Sequence, residues 1–350
     1  MTDFRVQPAE QDFRAALEAQ NAGRYEEAVQ LLARAGSQDH VLALSMLGGQ
    51  LMSGRGVKPD FPSGLTLMSR AAELGGGYAS AVLAATSAFG ANGGPDWTTA
   101  LDQLQRSAEL GYEPAQAQLR ILAELVRPQP ADASWAHLRH SIDPDAWRSP
   151  TTTESLLSDP DIRTVSGLAP VSVCEWLISR SRDRLHRAVV HIPFERRQRE
   201  SQSRTNSAAT FGMTEADLIA LMLCERLAAA AELDVATLEQ PQVLHYEVGE
   251  QYERHFDFLD PGFPGSDASI AQFGQRTTTL LIYLNEGFEN GETDFPILGL
   301  RYKGRTGDAL LFRNLTQSGA PDRRMLHAGL PPTSGEKWLF SQWVRDRPQR

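Results

Sequence analysis

The chain has 350 residues, which at ~150 residues per domain suggests two domains. Hydrophobic residues make up 41% and charged residues 22%, which excludes a wholly disordered, collagen-like or disulfide-scaffold chain. Thirty-four Lys and Arg against 44 Asp and Glu leave a net charge of −10. Phosphate binding needs positive surface, so the chain is not a generic nucleic-acid binder. No run approaches the ~20 apolar residues that cross a bilayer, so no membrane association is expected. The start, MTDFRVQPAEQDF, lacks the basic-then-apolar order of a signal peptide. Cys174 and Cys224 are too far apart for a CxxC pair, and a cytoplasmic protein with reduced thiols is expected.

The N-terminal third repeats itself. Asp60, Arg70, Ala72, Glu73, Leu74 and Gly75 recur as Asp96, Arg106, Ala108, Glu109, Leu110 and Gly111, an offset of 36 residues. A fainter copy precedes them, from EEAVQLLARAG through HVLALSMLGGQLMSGRGVKPD. A fixed period of this size marks a stacked-repeat array. Apolar and Ala residues step by three and four, as in LTLMSRAAEL, which predicts amphipathic helices. The text ALSMLGGQLMSGRGVKPD followed by LMSRAAELG resembles Sel1-like repeats, relatives of the tetratricopeptide class. The resemblance implies helix pairs over residues 1–126 that bind other proteins. The alternative is a helical cap that only stabilises its neighbour.

Residues 127–159 form a proline-rich stretch, read as a linker with one short helix around Ser134–Ser141. From residue 160 the chain changes character. PVSVCEWLISRSRDRL predicts a helix and RAVVHIP a strand. An Arg-rich run, FERRQRESQSRTNSAAT, lacks periodicity and is expected to be a mobile loop. TEADLIALMLCERLAAAAEL predicts a second helix with Thr214 as its N-cap. QVLHYEV, RTTTLLIYLN, GDALLFRN, RMLHAGL and KWLFSQWV then read as strands. Helices followed by many short strands predict an α+β domain built on a β-sandwich or jelly roll.

The chemistry lies among these strands. His255 and Asp257 are two apart on an extended segment, so both face one side. His327 supplies a third donor. Two His and one carboxylate make the facial triad of mononuclear Fe(II) sites, although the same set suits catalytic zinc. Lys337 follows His327 across the turn PPTSGE, which predicts a hairpin between LHAGL and KWLFSQW. A cation beside an open iron site is what a dicarboxylate cosubstrate needs. Tyr246 shares a strand face with Leu244 and Val248, while His245 points the other way. The remaining histidines lack metal spacing, and both cysteines fall on predicted helices where burial is ordinary.

PQVLHYEVGEQYERHFDFLDP, RTTTLLIYLNEGFENGETDFP, GDALLFRN and DRRMLHAGLPPTSGEKWLFSQWV, with SRTNS upstream, are similar to prolyl 4-hydroxylases of the Fe(II)/2-oxoglutarate dioxygenase superfamily. The resemblance implies a double-stranded β-helix with flanking helices over residues 160–350. It implies His255, Asp257 and His327 as iron ligands and Lys337 as the anchor of the 2-oxoglutarate carboxylate. It places Tyr246, Thr293 and Tyr283 around that cosubstrate, and Arg276 and Trp343 near a peptide substrate. O₂ is the second cosubstrate, and L-ascorbate keeps the iron ferrous in many relatives. Arg345 stands where related enzymes carry His, and Asn290 replaces the first Gly of a GGxT turn. The reading is hydroxylation of a peptidyl proline, with the repeats recruiting the protein target. Its alternatives are the same chemistry on another side chain or a small molecule, or a repeat-based adaptor with an inactive oxygenase domain.

Overall fold

The computed structural model describes residues 7–91, 93–149, 152–191, 198–200, 203–215 and 217–349. The chain divides into two compact units, Met1–Asp143 with Gly212–Leu218, and Pro144–Phe211 with Ile219–Arg350.

The first unit is helical. It runs α1 (Pro8–Asn21), α2 (Tyr25–Gly36), α3 (Val41–Ser53), α4 (Phe61–Glu73), α5 (Gly77–Phe89), α6 (Trp97–Glu109), α7 (Glu113–Glu124) and α8 (Trp135–Ser141). Each helix packs on the next in sequence. The sequence repeat reappears in the caps. Asp60 accepts the Ser63 N–H at the start of α4, and Asp96 accepts the Thr99 N–H at the start of α6. Small residues let the helices close up: a Cβ on Gly64 of α4 would lie 2.7 Å from the Gly48 carbonyl oxygen of α3. Leu44, Met68, Ala71 and Val82 fill one core cluster, and Leu32, Ala35, Ala43 and Leu47 another. The segment Gly212–Leu218 is held by side chains of this array. The Tyr78 hydroxyl donates to the Thr214 carbonyl at 2.9 Å, and Gln118 Oε1 accepts the Leu218 N–H at 2.7 Å. Thr214 therefore lies in a 3₁₀ turn, not at the N-cap of the helix that follows.

The second unit holds α9 (Pro144–Trp147), α10 (Val171–Arg182), α11 (Leu218–Ala231, its first residue in the helical unit) and α12 (Pro264–Phe273). Its strands are β1 (Glu154–Ser158), β2 (Asp161–Val165), β3 (His186–Arg187), β4 (Val189–His191), β5 (Gln198–Glu200), β6 (Ser207–Thr210), β7 (Gln242–Tyr246) and β8 (Tyr252–His255). They continue as β9 (Arg276–Tyr283), β10 (Glu289–Asn290), β11 (Thr293–Phe295), β12 (Leu300–Tyr302), β13 (Ala309–Arg313), β14 (His327–Gly329), β15 (Pro332–Ser334) and β16 (Lys337–Arg345). The large antiparallel sheet has the order β1-β2-β13-β9-β16-β7-β6-β3, and the small one β12-β11-β14-β8. The two layers make a double-stranded β-helix. Leu281, Leu310 and Phe312 of the large sheet meet Phe295 of the small one in a common core.

Two sequence expectations change here. LHAGL and KWLFSQW do not form a hairpin. β14 pairs with β8 and β11, β16 pairs with β7 and β9, and the chain between them crosses from one sheet to the other. The Arg-rich run is not simply a loop, since its end, SAAT, is β6, paired with β7 in the large sheet. Within that run, residues 192–197 and 201–202 lie outside the described residues.

Alternation on the strands sets what faces the interior. On β16, Lys337, Leu339, Ser341 and Trp343 line an internal pocket, while Trp338 and Gln342 point outward, toward Arg182 of α10 and Cys224 of α11. One glycine fixes how the chain enters β13. Gly307 has φ 88°, and a Cβ there would lie 2.0 Å from the Ala169 carbonyl oxygen. Gly307→Ala is expected to cost about 2 kcal/mol or more of unfolding free energy, read from urea denaturation. An unchanged midpoint would show that the turn relaxes freely.

Candidate functional site

The pocket between the sheets is lined from both. The small sheet brings the metal-type donors. β8 and β14 pair so that His255 stands directly opposite His327. Asp257 follows β8 by two residues. His255 Nε2 lies 3.6 Å from Asp257 Oδ1, and His327 Nε2 lies 3.4 Å from Asp257 Oδ2. One donor atom from each of the three falls within 4.8 Å of the others, a spacing that one divalent ion can bridge.

The surroundings prepare these donors. His255 Nδ1 is 2.7 Å from the Glu253 carbonyl oxygen, and His327 Nδ1 is 3.0 Å from that of Met325. Each Nδ1 therefore carries the proton, and each Nε2 turns its lone pair to the pocket. Burial and the neighbouring His327 push the His255 pKa well down, which keeps it neutral. Against the cost of burial, Asp257 holds His327 above its ordinary value. Burial opposes the charge on Asp257, but the two histidines and the Thr279 hydroxyl outweigh it and keep the carboxylate ionised. Thr279 donates to Asp257 Oδ2 at 2.7 Å and accepts from Asn314 at 3.0 Å, so its hydroxyl proton has one direction to point.

The large sheet brings the cation. Lys337 is fully buried, and its Nζ has no hydrogen-bond partner among the described residues. It lies 4.8 Å from the Tyr246 ring centroid and 5.9 Å from that of Tyr283. Burial pulls its pKa from 10.5 down to about 7. A buried ammonium with no hydrogen-bonded partner is a vacancy for an anion. The residues thus fit both groups the sequence implied: a His₂Asp donor set for iron, and an orphaned cation for a carboxylate.

Thr293 and Tyr246 line the pocket with these groups. Gly329 sits against Tyr246, where a Cβ would approach its hydroxyl at 3.2 Å. The Tyr283 hydroxyl is committed elsewhere, 2.9 Å from Thr293 Oγ1 and donating to the Tyr302 carbonyl at 2.9 Å. Trp343 lines the pocket, and its buried Nε1 has no partner among the described residues. Arg276 is not among the lining residues. It sits behind Trp343, 3.9 Å from the ring centroid, and grips Glu239 with two bonds of 2.6 and 2.9 Å. Arg345 shares that carboxylate at 2.5 Å. Asn290 keeps the turn of the glycine it replaces, at φ 56°. His245 faces outward, bonded to Glu336 at 2.8 Å.

Arg204 and Thr279 were not singled out in the sequence, yet both line the pocket. Arg204 is buried and stacks 4.7 Å over Tyr252, whose ring lies 3.5 Å from that of His255. Thr279 could have been found by parity, because it shares a strand face with Tyr283. Arg204 lies in the SRTNS segment that carries part of the resemblance, but within the charged run nothing marks it as a lining residue.

The family model described as 2OG-Fe(II) oxygenase superfamily matches residues 241–345. Probable prolyl 4-hydroxylase 9 of Arabidopsis thaliana is 31% identical over 198 residues, 52% of this chain and 67% of its own length. Prolyl 4-hydroxylase 2 of the same plant is 30% identical over 222 residues, 57% of this chain and 72% of its own. Prolyl 4-hydroxylase subunit alpha-1 of Rattus norvegicus is 32% identical over 207 residues, 59% of this chain, and the chain spans only 36% of that subunit. Among solved structures, a viral collagen prolyl hydroxylase from Paramecium Bursaria Chlorella virus-1 is 24% identical, with TM-score 0.40, over 53% of this chain and 95% of its own. A Sel1 repeat protein from Oxalobacter formigenes is 22% identical, with TM-score 0.32, over 41% of this chain and 61% of its own.

Lys337 gives the ligand-free protein a definite pH dependence. Its folded pKa lies below its unfolded value, so the unfolded chain binds more protons between about pH 7 and 10.5. Its contribution to stability therefore rises with pH across that window and is lost as pH falls through about 7. Lys337→Met is expected to stabilise the ligand-free chain near pH 7 by on the order of a few kcal/mol, a gain that shrinks toward pH 10. Denaturation series from pH 7 to 10 measure it, and parallel curves for the two proteins would refute it.

Proposed function

This chain belongs to the prolyl 4-hydroxylase family of 2OG-Fe(II) oxygenases, and we propose that this 2-oxoglutarate-dependent dioxygenase hydroxylates a prolyl residue of a peptide or protein. The observation that carries the reading is the pairing of two vacancies in one pocket: a His₂Asp donor set and a buried, unpartnered Lys337. His255, Asp257 and His327 would hold the iron through one imidazole, one carboxylate and a second imidazole. Iron with 2-oxoglutarate and O₂ supplies the oxidant for an unactivated C–H bond, with succinate and CO₂ as co-products. Lys337 binds the distal carboxylate of 2-oxoglutarate, and the bound anion raises the pKa that burial has depressed. Tyr246 and Thr293 flank that carboxylate. Tyr283 acts one step back by holding Thr293 in place. Leu244, Leu281 and Leu339 wall the pocket and exclude water. Trp343 presents its Nε1–H to the substrate peptide. Arg276 supports Trp343 from behind, and the Glu239 carboxylate pairs with both guanidinium groups around it. L-ascorbate serves to return oxidised iron to the ferrous state.

The test is incubation of the enzyme with Fe(II), 2-oxoglutarate, ascorbate and proline-containing peptides. Stoichiometric succinate and a +16 Da shift located on proline are expected. Asp257→Ala and His327→Ala should each abolish both, with Fe(II) affinity lowered by at least about ten-fold in direct titration. A +16 Da shift on another residue would overturn the prolyl assignment, and activity with zinc but not iron would overturn the oxygenase reading.

The helical repeats are proposed to recruit a protein target. Support comes from the groove along α1, α3 and α5, lined by Phe13, Leu42, Met46, Gln50 and Tyr78. Leu42 is 59% exposed there, and Gln50 Oε1 is buried without a partner among the described residues. Leu42→Asp should lower turnover of a folded protein substrate by about ten-fold while leaving a short proline peptide untouched, because only a tethered second contact is lost. Equal turnover of both substrates would leave the array as a structural cap.

A further inference from the structure

The Lys337 ammonium is held without a hydrogen-bond partner among the described residues at the first residue of β16, the part of a strand that frays most readily. Its desolvation favours any local motion that lets the amine reach water. Something must hold the backbone there before an anion arrives. On one side the main chain does so, since Lys337 pairs with Tyr246 of β7. On the other side β9 ends at Tyr283, with one further rung where the Leu284 N–H donates to the Trp338 carbonyl at 2.9 Å.

Beyond that rung the ladder is continued by a side chain. Asn285 Oδ1 accepts the Trp338 N–H at 2.9 Å, and Asn285 Nδ2 donates to the Glu336 carbonyl at 2.7 Å. These two groups lie on the residues immediately before and after Lys337. The carboxamide thus replaces a strand neighbour and brackets the lysine. The turn before it is also tucked in, because a Cβ on Gly335 would lie 2.2 Å from the Gly287 carbonyl oxygen. Only a primary amide offers a donor and an acceptor in this fork.

We propose that Asn285 is a positioning residue for 2-oxoglutarate binding: its carboxamide pins the β16 entry so that Lys337 stays aimed at the cosubstrate carboxylate. The inference rests on the reading of Lys337 as the carboxylate anchor. Asn285 does not line the pocket and touches no reacting group. Its effect should therefore appear in 2-oxoglutarate affinity and not in the chemical step.

The experiment uses the full chain and three variants: Asn285→Ala, Asn285→Asp and Lys337→Ala. Anaerobic titration of the Fe(II)-loaded protein with 2-oxoglutarate, followed by the visible charge-transfer band of the chelate, gives its affinity without turnover. Lys337→Ala should weaken binding by about ten- to a hundred-fold, since a charge-assisted bond in a buried site is lost. Asn285→Ala should weaken it by about ten-fold, with Fe(II) affinity and kcat at saturating 2-oxoglutarate retained. Asn285→Asp keeps the acceptor for Trp338 and loses the donor to Glu336, so it should bind more weakly than the parent and serve if the Ala variant misfolds. Wild-type affinity in the Asn285 variants, with Lys337→Ala impaired, overturns the positioning role alone. Wild-type affinity in Lys337→Ala overturns the anchor on which it rests. A loss of kcat and thermal stability together, with affinity unmoved, makes Asn285 merely structural and also overturns the proposal.

Discussion

A lysine buried among tyrosine rings with no hydrogen-bonded partner among the described residues is the constraint around which this pocket is built. Desolvation, with Lys303 adding to it and Glu292 opposing it, pulls the Lys337 pKa down to about 7, so the ligand-free fold carries a standing electrostatic cost. That cost is tolerated because the lysine is locked into a sheet. β16 pairs with β7 from Lys337 to Ser341 and with β9 from Leu339 to Arg345, and its outward residues Trp338 and Phe340 are buried in their own right. The same cost favours ligand binding, because an arriving carboxylate removes it. Stability is given up locally to gain affinity for an anion.

The two sheets divide the chemistry. Metal-type donors stand on the small sheet, where the β8–β14 pairing sets His255 against His327. The cation stands on the large sheet, and the pocket is the gap between them. On the proposed reading, a cosubstrate that touches both would span that gap. Hydrogen bonds one step removed keep each element aimed: backbone carbonyls fix both imidazoles, Thr279 fixes the carboxylate, and Asn285 brackets the lysine.

The helical unit shows a different economy. Its caps and small residues repeat with the sequence, so each helix pair is built by local rules. Its one non-local element is Gly212–Leu218, held by Tyr78 and Gln118 through main-chain groups of the captured segment. Recognition of backbone by side chains needs no particular sequence in the segment.

What the sequence determined by itself was whatever depends on spacing within a single element. The 36-residue offset marked the helix pairs, because capping and close packing act over a few residues. The two-residue spacing of His255 and Asp257 placed them together, because strand side chains alternate. Parity also put Tyr246 inward and His245 outward, whereas Lys337 was placed by an expected hairpin and by the family resemblance. What only the tertiary structure decided was which strand lies beside which. The expected hairpin after His327 failed because PPTSGE carries the chain between sheets, and turn composition does not distinguish a reversal from a crossover. Thr214 carries an N-cap residue type, but contacts from distant helices turned it into a 3₁₀ turn. The roles of Arg204 and Asn285 were not legible for the same reason: each acquires its role from a neighbour far away in sequence, and pairing across a sheet leaves no local periodic trace.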